Sequence, residues 1–238
     1  MRKILAKLLT VVITATLITG VVSGCGESGE DKGNSNVDTS STTSQPKEKT
    51  EFVYTTNSKG EVTLSKHNKE LSKNTEVIVI PKAEKGNLTK IEPSVFVSNT
   101  VVTEVNIPDT VQEIGDIAFK GCLNLQKVNL PKSLKSIGVG AFMGTALKEV
   151  TLPNTVTQVG VKAFSTCPRL EKLTINEGVT VLNNICNNCK NLKELHLPST
   201  IKTIAQDFTV LPATTVYTPN NQVVIDYCVA NGINYQII

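Results

Sequence analysis

A segment of about 23 residues recurs along the chain, and this recurrence restricts the possible folds more than any other feature of the sequence. The stretches "VTEVNIPDTVQEIGDIAFKGC", "LQKVNLPKSLKSIGVGAFMGT" and "LKEVTLPNTVTQVGVKAFSTC" follow one another and match at nearly every apolar position. One such unit is shorter than the ~40 residues that an unaided domain needs. Each copy must therefore bury its apolar side against its neighbours, and the sequence predicts a solenoid.

An Ile/Leu-Pro pair, or its substituted equivalent, marks each unit. Aligned on that pair, aliphatic residues recur four and seven places later, followed by an aromatic position and, three residues on, a small interior position. The pairs are Ile80-Pro81, Ile107-Pro108, Leu130-Pro131, Leu152-Pro153, Ile175-Asn176, Leu197-Pro198 and Thr218-Pro219. The aromatic position holds Phe96, Phe119, Phe142, Phe164, Cys186 and Phe208, and the small position holds Cys122, Thr145, Cys167, Cys189 and Leu211.

Each unit has the pattern of a short strand followed by a returning arc. "LKEVTLP" alternates apolar and polar residues, as a strand with one buried face does. Proline ends the strand because it has no N–H to donate to a ladder. The later aliphatic positions then return along an arc with Gly115, Gly138 and Gly160 at its bends. We expect the strands of successive units to form one parallel sheet.

The pattern L-x-x-V-x-L-P-x-x-V-x-x-I-G-x-x-A-F-x-x-C closely resembles the leucine-rich repeat of BspA-like (Treponema-type) bacterial surface proteins, over about residues 75–219. The resemblance implies an α/β-type repeat solenoid that is mostly β, with a parallel concave sheet. It also implies display on the cell surface and binding of proteins or host matrix.

Two units depart from the pattern and predict local irregularity. Residues 170–191 carry Asn176 and Cys186 in place of Pro and Phe, and residues 192–213 are one residue short.

The two ends of the repeat array carry sequences typical of caps. Residues 51–74 alternate around "NSKG" and predict a β-hairpin that covers the first repeat. Residues 220–238 predict a helix, with Val223, Val224, Tyr227 and Cys228 at helical spacing, then a last strand. Gly232 is placed where a helix ends in a left-handed residue.

The first 24 residues are typical of a secretory signal. "MRKILAK" is basic, and the apolar run that follows is short for a membrane span of ~20 residues. Val22-Ser23-Gly24-Cys25 resembles the bacterial lipobox, which implies that Cys25 is lipidated and becomes the new N-terminus. The alternative is an ordinary cleavage site beside an incidental cysteine. Residues 25–50 contain one aliphatic residue, Val37, and predict a disordered tether.

Charge and motif content exclude several function classes. Arg2, Lys3 and Lys7 supply the whole formal charge of +3, so the rest of the chain is neutral and lacks the basic character of nucleic-acid binders. Neither a nucleophile–base set nor a phosphate-binding glycine loop is present in the sequence, and we predict neither catalysis nor a cofactor. Cys186 and Cys189 form a CxxC pair, which leaves three alternatives: buried free thiols in core positions, a disulfide or a metal site.

Two columns of side chains are predicted to face outward from the stacked strands. The charged column alternates in sign, and each neighbouring pair is attractive by a few tenths of a kcal/mol up to ~1. This column stabilises the order of the strands, provides a contact surface, or does both. His67, which lies in the N-terminal segment, is expected to face solvent. The candidate binding face comprises Glu104, Asn106, Lys127, Asn129, Glu149, Thr151, Lys172, Thr174, Glu194, His196 and Tyr217.

These features together predict a lipid-anchored protein on the extracellular face of a bacterial membrane. Its expected function is non-catalytic binding or adhesion, through the concave sheet, to another protein of the host or of a bacterial surface. The membrane is contacted through the lipid anchor only, and nucleic acid is not a partner. Two alternatives stay open: a structural or glycan-associated component of the cell envelope, and an enzyme whose site the sequence motifs do not reveal.

Overall fold

A computed structural model gives the structure of residues 51–70, 74–83 and 86–238. The predicted signal peptide, Cys25 and the tether lie outside the described residues. None of the helical structure in the described ranges has both the length and the apolar composition that a bilayer span requires.

Each repeat contributes two short strands, one before and one after its Ile/Leu-Pro pair, and the two sets form separate parallel ladders. The first ladder contains β3 (Val77–Val79), β5 (Glu104–Asn106), β7 (Lys127–Asn129), β9 (Glu149–Thr151), β11 (Lys172–Thr174), β13 (Glu194–His196), β15 (Thr215–Thr218) and β16 (Tyr235–Ile237). The second ladder contains β4 (Leu88–Ile91), β6 (Glu113–Ile114), β8 (Ser136–Ile137), β10 (Gln158–Val159), β12 (Val181–Leu182) and β14 (Thr203–Ile204).

The alternating sequence explains the orientation of the side chains in both ladders. In β9, Val150 is buried while Glu149 and Thr151 are exposed. In β10, Val159 is buried while Gln158 is exposed. Most repeats thus direct polar side chains outward from two surfaces and aliphatic side chains into one shared core, whereas β3 and β12 present valines outward.

The expectation of one continuous sheet was wrong, because each ladder is interrupted once. The first ladder is unpaired between β7 and β9, where the turn from Thr145 to Leu147 is one residue shorter than the turn from Cys122 to Leu125. The break in the first ladder therefore coincides with the shorter turn. The second ladder is unpaired between β10 and β12, in the unit at residues 170–191 that was predicted to be irregular. The two interruptions are staggered, so that one ladder is always intact beside a break in the other.

A column of phenylalanine rings forms the centre of the core. The rings of Phe96, Phe119, Phe142 and Phe164 lie 4.8, 5.1 and 5.4 Å apart between successive centroids, with planes within 4° of parallel. All four rings are buried. Their backbone amides bind the next repeat: the amide of Phe119 donates to the Ala141 carbonyl at 2.7 Å and that of Phe142 to the Ala163 carbonyl at 2.8 Å. The predicted register of the repeats is therefore confirmed.

The N-terminal hairpin is present and extends the second ladder. Strands β1 (Phe52–Thr56) and β2 (Val62–His67) pair antiparallel, and β2 pairs parallel with β4. The expectation that His67 faces solvent was wrong, since the residue is 8% exposed. Its ring lies 5.5 Å from the ring of Phe52 and 4.8 Å from that of Phe96. His67 therefore continues the phenylalanine column into the hairpin.

The C-terminal cap consists of α1 (Gln222–Asn231) and β16, as the sequence predicts. The side chain of Asn221 caps the first turn by accepting from the amides of Val223 and Val224. Gly232 ends the helix with φ of 63°, in the left-handed region. One prediction near this cap was wrong. Leu211, which the repeat pattern assigned to the small interior position, is 38% exposed.

Candidate functional site

The first-ladder face is the set of outward side chains that the sequence analysis selected on β5, β7, β9, β11, β13 and β15. The structure places them on neighbouring strands in register, with Lys172 opposite Glu194 and His196 opposite Tyr217. The break between β7 and β9 divides this face into two parts. The smaller part comprises Glu104, Asn106, Lys127 and Asn129, and the larger comprises Glu149, Thr151, Lys172, Thr174, Glu194, His196 and Tyr217.

The charged column forms ion pairs at two of its four expected contacts. Lys127 Nζ lies 3.0 Å from Glu104 Oε1, and Lys172 Nζ lies 2.9 Å from Glu194 Oε2. Glu149 approaches neither Lys127 nor Lys172 within 4.0 Å, and the first of these two contacts would cross the break in the ladder. The hydrogen bond from Lys172 lowers the pKa of Glu194, so that this carboxylate is charged at neutral pH.

An ordered cluster occupies the C-terminal part of the first-ladder face. The rings of His196 and Tyr217 stack with centroids 4.5 Å apart and planes 7° from parallel. His196 Nε2 also lies 3.1 Å from Glu194 Oε2. A connected row therefore runs from Lys172 through Glu194 and His196 to Tyr217, with an ammonium, a carboxylate and two rings held in fixed relative positions.

Two recesses lie along the other ladder, which sequence reasoning treated as a structural arc. One has a volume of about 780 Å³ and the other about 630 Å³, and both are lined by Lys90 and Glu113. We call these joined recesses the second-ladder groove; residues of the first-ladder face do not line it. The sequence indicates this groove by one polar residue in each of three repeats. That residue directly precedes the second buried aliphatic residue after the Ile/Leu-Pro pair, and the three are Glu113, Ser136 and Gln158.

The cysteines serve the packing of the repeats. The thiols of Cys122, Cys167 and Cys189 donate to the carbonyls of Phe96, Phe142 and Phe164 of the preceding repeat, at 3.1, 3.3 and 3.0 Å. All five cysteines in the described ranges are buried and none of them forms a disulfide, which agrees with the first of the three alternatives for Cys186 and Cys189. Burial raises the pKa of Cys122 to about 11 and that of Cys186 to about 12, and thiols that stay protonated at neutral pH are poor nucleophiles.

The fold defined by this geometry is a parallel β-solenoid of the leucine-rich repeat class. Six consecutive copies of the family described as "BspA type Leucine rich repeat region" match residues 89–210, about half of the chain. The chain therefore belongs to the BspA-type leucine-rich repeat family. Proteins of this family are non-enzymatic repeat proteins, generally surface proteins that bind other proteins.

Solved structures of bacterial leucine-rich repeat proteins share the fold. A leucine-rich repeat protein from Bacteroides ovatus is 30% identical over 73% of this chain and 55% of its own, with a TM-score of 0.52. The pneumococcal vaccine antigen PcpA is 21% identical over 75% of this chain and 46% of its own, with a TM-score of 0.61. The leucine-rich repeat protein TpLRR of T. pallidum is 19% identical over 78% of this chain and 95% of its own, with a TM-score of 0.54.

The chain spans about half the length of the first two of these structures. None of the curated proteins matches it.

Proposed function

We propose that the protein is a lipid-anchored, non-catalytic binding protein on the extracellular face of a bacterial membrane, and that it contacts another protein through the first-ladder face. The ordered row from Lys172 to Tyr217 is the observation that carries this proposal. Its side chains already contact one another, at 2.9, 3.1 and 4.5 Å, before any partner is present. A surface ordered before contact loses little conformational entropy on binding.

The composition of this row suits recognition of a folded protein. Tyrosine and histidine rings offer apolar faces with polar edges, and tyrosine is enriched where interfaces contribute most to affinity. The flanking ammonium and carboxylate add directional contacts at the rim, where charges steer association. The first-ladder face restricts the chemistry of the partner, which must present groups that complement these side chains. It does not specify which protein of the host or of a bacterial surface that partner is.

A site-specific crosslinking experiment tests this surface. A photo-reactive phenylalanine analogue replaces Tyr217 in the full chain on cells, and the matched control carries it at Lys190, which is exposed on the arc. We expect a discrete protein adduct from position 217 and none from position 190. His196→Ala should then weaken the affinity for the crosslinked protein about tenfold, whereas Lys190→Ala should leave it unchanged. Equal crosslinking at both positions, or none at either, would contradict the proposal.

The lipid anchor is tested independently of the binding face. Cys25→Ser removes the thiol that would receive the diacylglyceryl group, and we expect it to abolish incorporation of labelled palmitate. The protein should then move from the membrane fraction to the soluble fraction, because two or more acyl chains provide the stable attachment. Retention of the Cys25→Ser variant in washed membranes would refute lipidation at this residue.

A further inference from the structure

The second-ladder groove has the dimensions of a site for an extended polypeptide. It runs across β2, β4, β6, β8, β10 and β12, from Thr63 at one end to Val181 at the other. Four paired steps of ~4.8 Å from β2 to β10 give about 19 Å, and the unpaired step from β10 to β12 adds to this length, so the groove can hold about six residues of extended chain or more. The combined recesses are open along this length and lie on a surface distinct from the first-ladder face.

The charge of the groove is concentrated at its hairpin end. Glu61, Glu92, Glu113 and Asp116 line that end, and Lys90 is the accompanying cation among the lining residues, so their formal charge is −3. Lys90 Nζ lies 3.0 Å from Glu113 and 3.9 Å from Glu92, and therefore offsets part of the charge of two carboxylates. This acidic character is local, since the chain beyond its first 24 residues is neutral.

The opposite end of the groove is uncharged and partly apolar. Val139 and Val181 are both 47% exposed there. Gln158, Thr180 and Asn183 lie between and beside them and offer hydroxyl and amide groups. Two paired strand steps of ~4.8 Å and the unpaired step from β10 to β12 separate Glu113 on β6 from Val181 on β12, which corresponds to about four residues of extended chain.

We infer that the second-ladder groove binds an extended polypeptide segment that carries Lys or Arg at one end and an aliphatic side chain about four residues away. The cationic end lies against Glu61, Glu92, Glu113 and Asp116, and the aliphatic side chain packs against Val181, while Val139 contacts the segment nearer its cationic end. The hydroxyl and amide side chains between them bind the peptide backbone. This site goes beyond the first-ladder face proposed above and does not depend on it.

Selection from a random octapeptide library displayed on phage tests this inference on the full chain in mild detergent. We expect the enriched peptides to carry Lys or Arg at one end and Leu, Ile or Val about four positions away. In the Glu92→Gln/Glu113→Gln variant, the affinity for the best peptide should fall about five- to tenfold, and raising the salt concentration should reduce wild-type binding similarly. The Val139→Thr/Val181→Thr variant should lose the preference for the aliphatic position.

A matched control separates this groove from the other face. Glu149→Gln/Glu194→Gln removes two carboxylates from the first-ladder face and should leave the peptide affinity unchanged. Equal loss in that control, enrichment of peptides without a cationic end, or no enrichment would each overturn the inference. Displacement of the peptide by cell-wall glycan fragments, or groove-dependent self-association of the chain, would overturn it by assigning the groove to another occupant. None of these outcomes would alter the result of crosslinking at position 217, because that experiment concerns the first-ladder face.

Discussion

Small interior side chains that carry a donor group bind the backbone carbonyls of the phenylalanine column. Cys167 fills a small position and donates to the Phe142 carbonyl, while Thr145, at the equivalent position of the preceding repeat, donates to the same carbonyl at 3.0 Å. A small side chain with a donor satisfies a buried acceptor that would otherwise be costly. The sequence predicts the burial of these residues, but their hydrogen bonds depend on the placement of the neighbouring backbone, which a single repeat does not specify.

His67 should make the stability of the protein depend on pH. Burial, assisted by the charge of Lys69, lowers its pKa from 6.5 to about 4, although Glu51 Oε1 lies 3.8 Å from its Nε2. Because the folded protein binds this proton less readily than the unfolded chain, the contribution of neutral His67 is complete above about pH 6.5. It is lost as the pH falls toward 4, by on the order of 3 kcal/mol. Urea unfolding measured between pH 4 and 7.5 checks this.

The His67→Phe variant is the control for that titration. A phenyl ring at this position would continue the column between Phe52 and Phe96 without a titratable group. We expect the variant to fold and to lose most of the additional slope of unfolding free energy between pH 4 and 6.5. An unchanged slope would show that carboxylates, rather than His67, control the acid sensitivity.

Strands and turns set how closely successive repeats approach. Gly115, Gly138 and Gly160 follow the second-ladder strands, where the backbone of the preceding repeat leaves no room for a side chain. A Cβ at Gly138 would lie 2.5 Å from the Asp116 amide nitrogen, and one at Gly160 would lie 2.5 Å from that of Val139. These glycines therefore permit close contact between backbones, which is a stronger requirement than the bend that the sequence pattern predicts.

Gly138→Ala should destabilise the protein by about 2 kcal/mol or more, because backbone atoms of two repeats must separate to admit the methyl group. Val139→Ala is the matched control, since the valine side chain is half-exposed and its loss should cost less than about 1 kcal/mol. Chemical denaturation of both variants measures the difference. Equal destabilisation by the two substitutions would contradict the close approach at Gly138.

The repeat pattern predicts the elements well and their connections less well. The spacing of the Ile/Leu-Pro pairs correctly predicts the strands that precede Pro, the ring column and both caps. It does not predict the second ladder, because strands of two residues such as β8 and β10 are too short to show alternation. The break between β7 and β9 has a signal in the short turn from Thr145 to Leu147, but the effect of one missing residue on pairing depends on the adjacent repeat.

At the scale of the whole solenoid, stability is shared between neighbours and is not held within any one repeat. The rings of Phe119, Phe142 and Phe164 are in contact across three repeats, and the amide of each donates to the repeat that follows. Arrays of this kind behave as a sum of unit and interface contributions. The staggered breaks preserve one intact ladder at every interface, and the two outward faces keep fixed positions because this shared core is continuous.

Hydrogen exchange of the Phe142→Ala variant, followed by mass spectrometry, tests this shared core most directly. Removing the ring should cost about 3–5 kcal/mol. We expect lost amide protection in the repeats of Phe119 and Phe164 as well as in residues 131–152, whereas the surface control Leu123→Ala should leave protection unchanged. Loss of protection confined to residues 131–152, with both neighbouring repeats as protected as in the wild type, would contradict it.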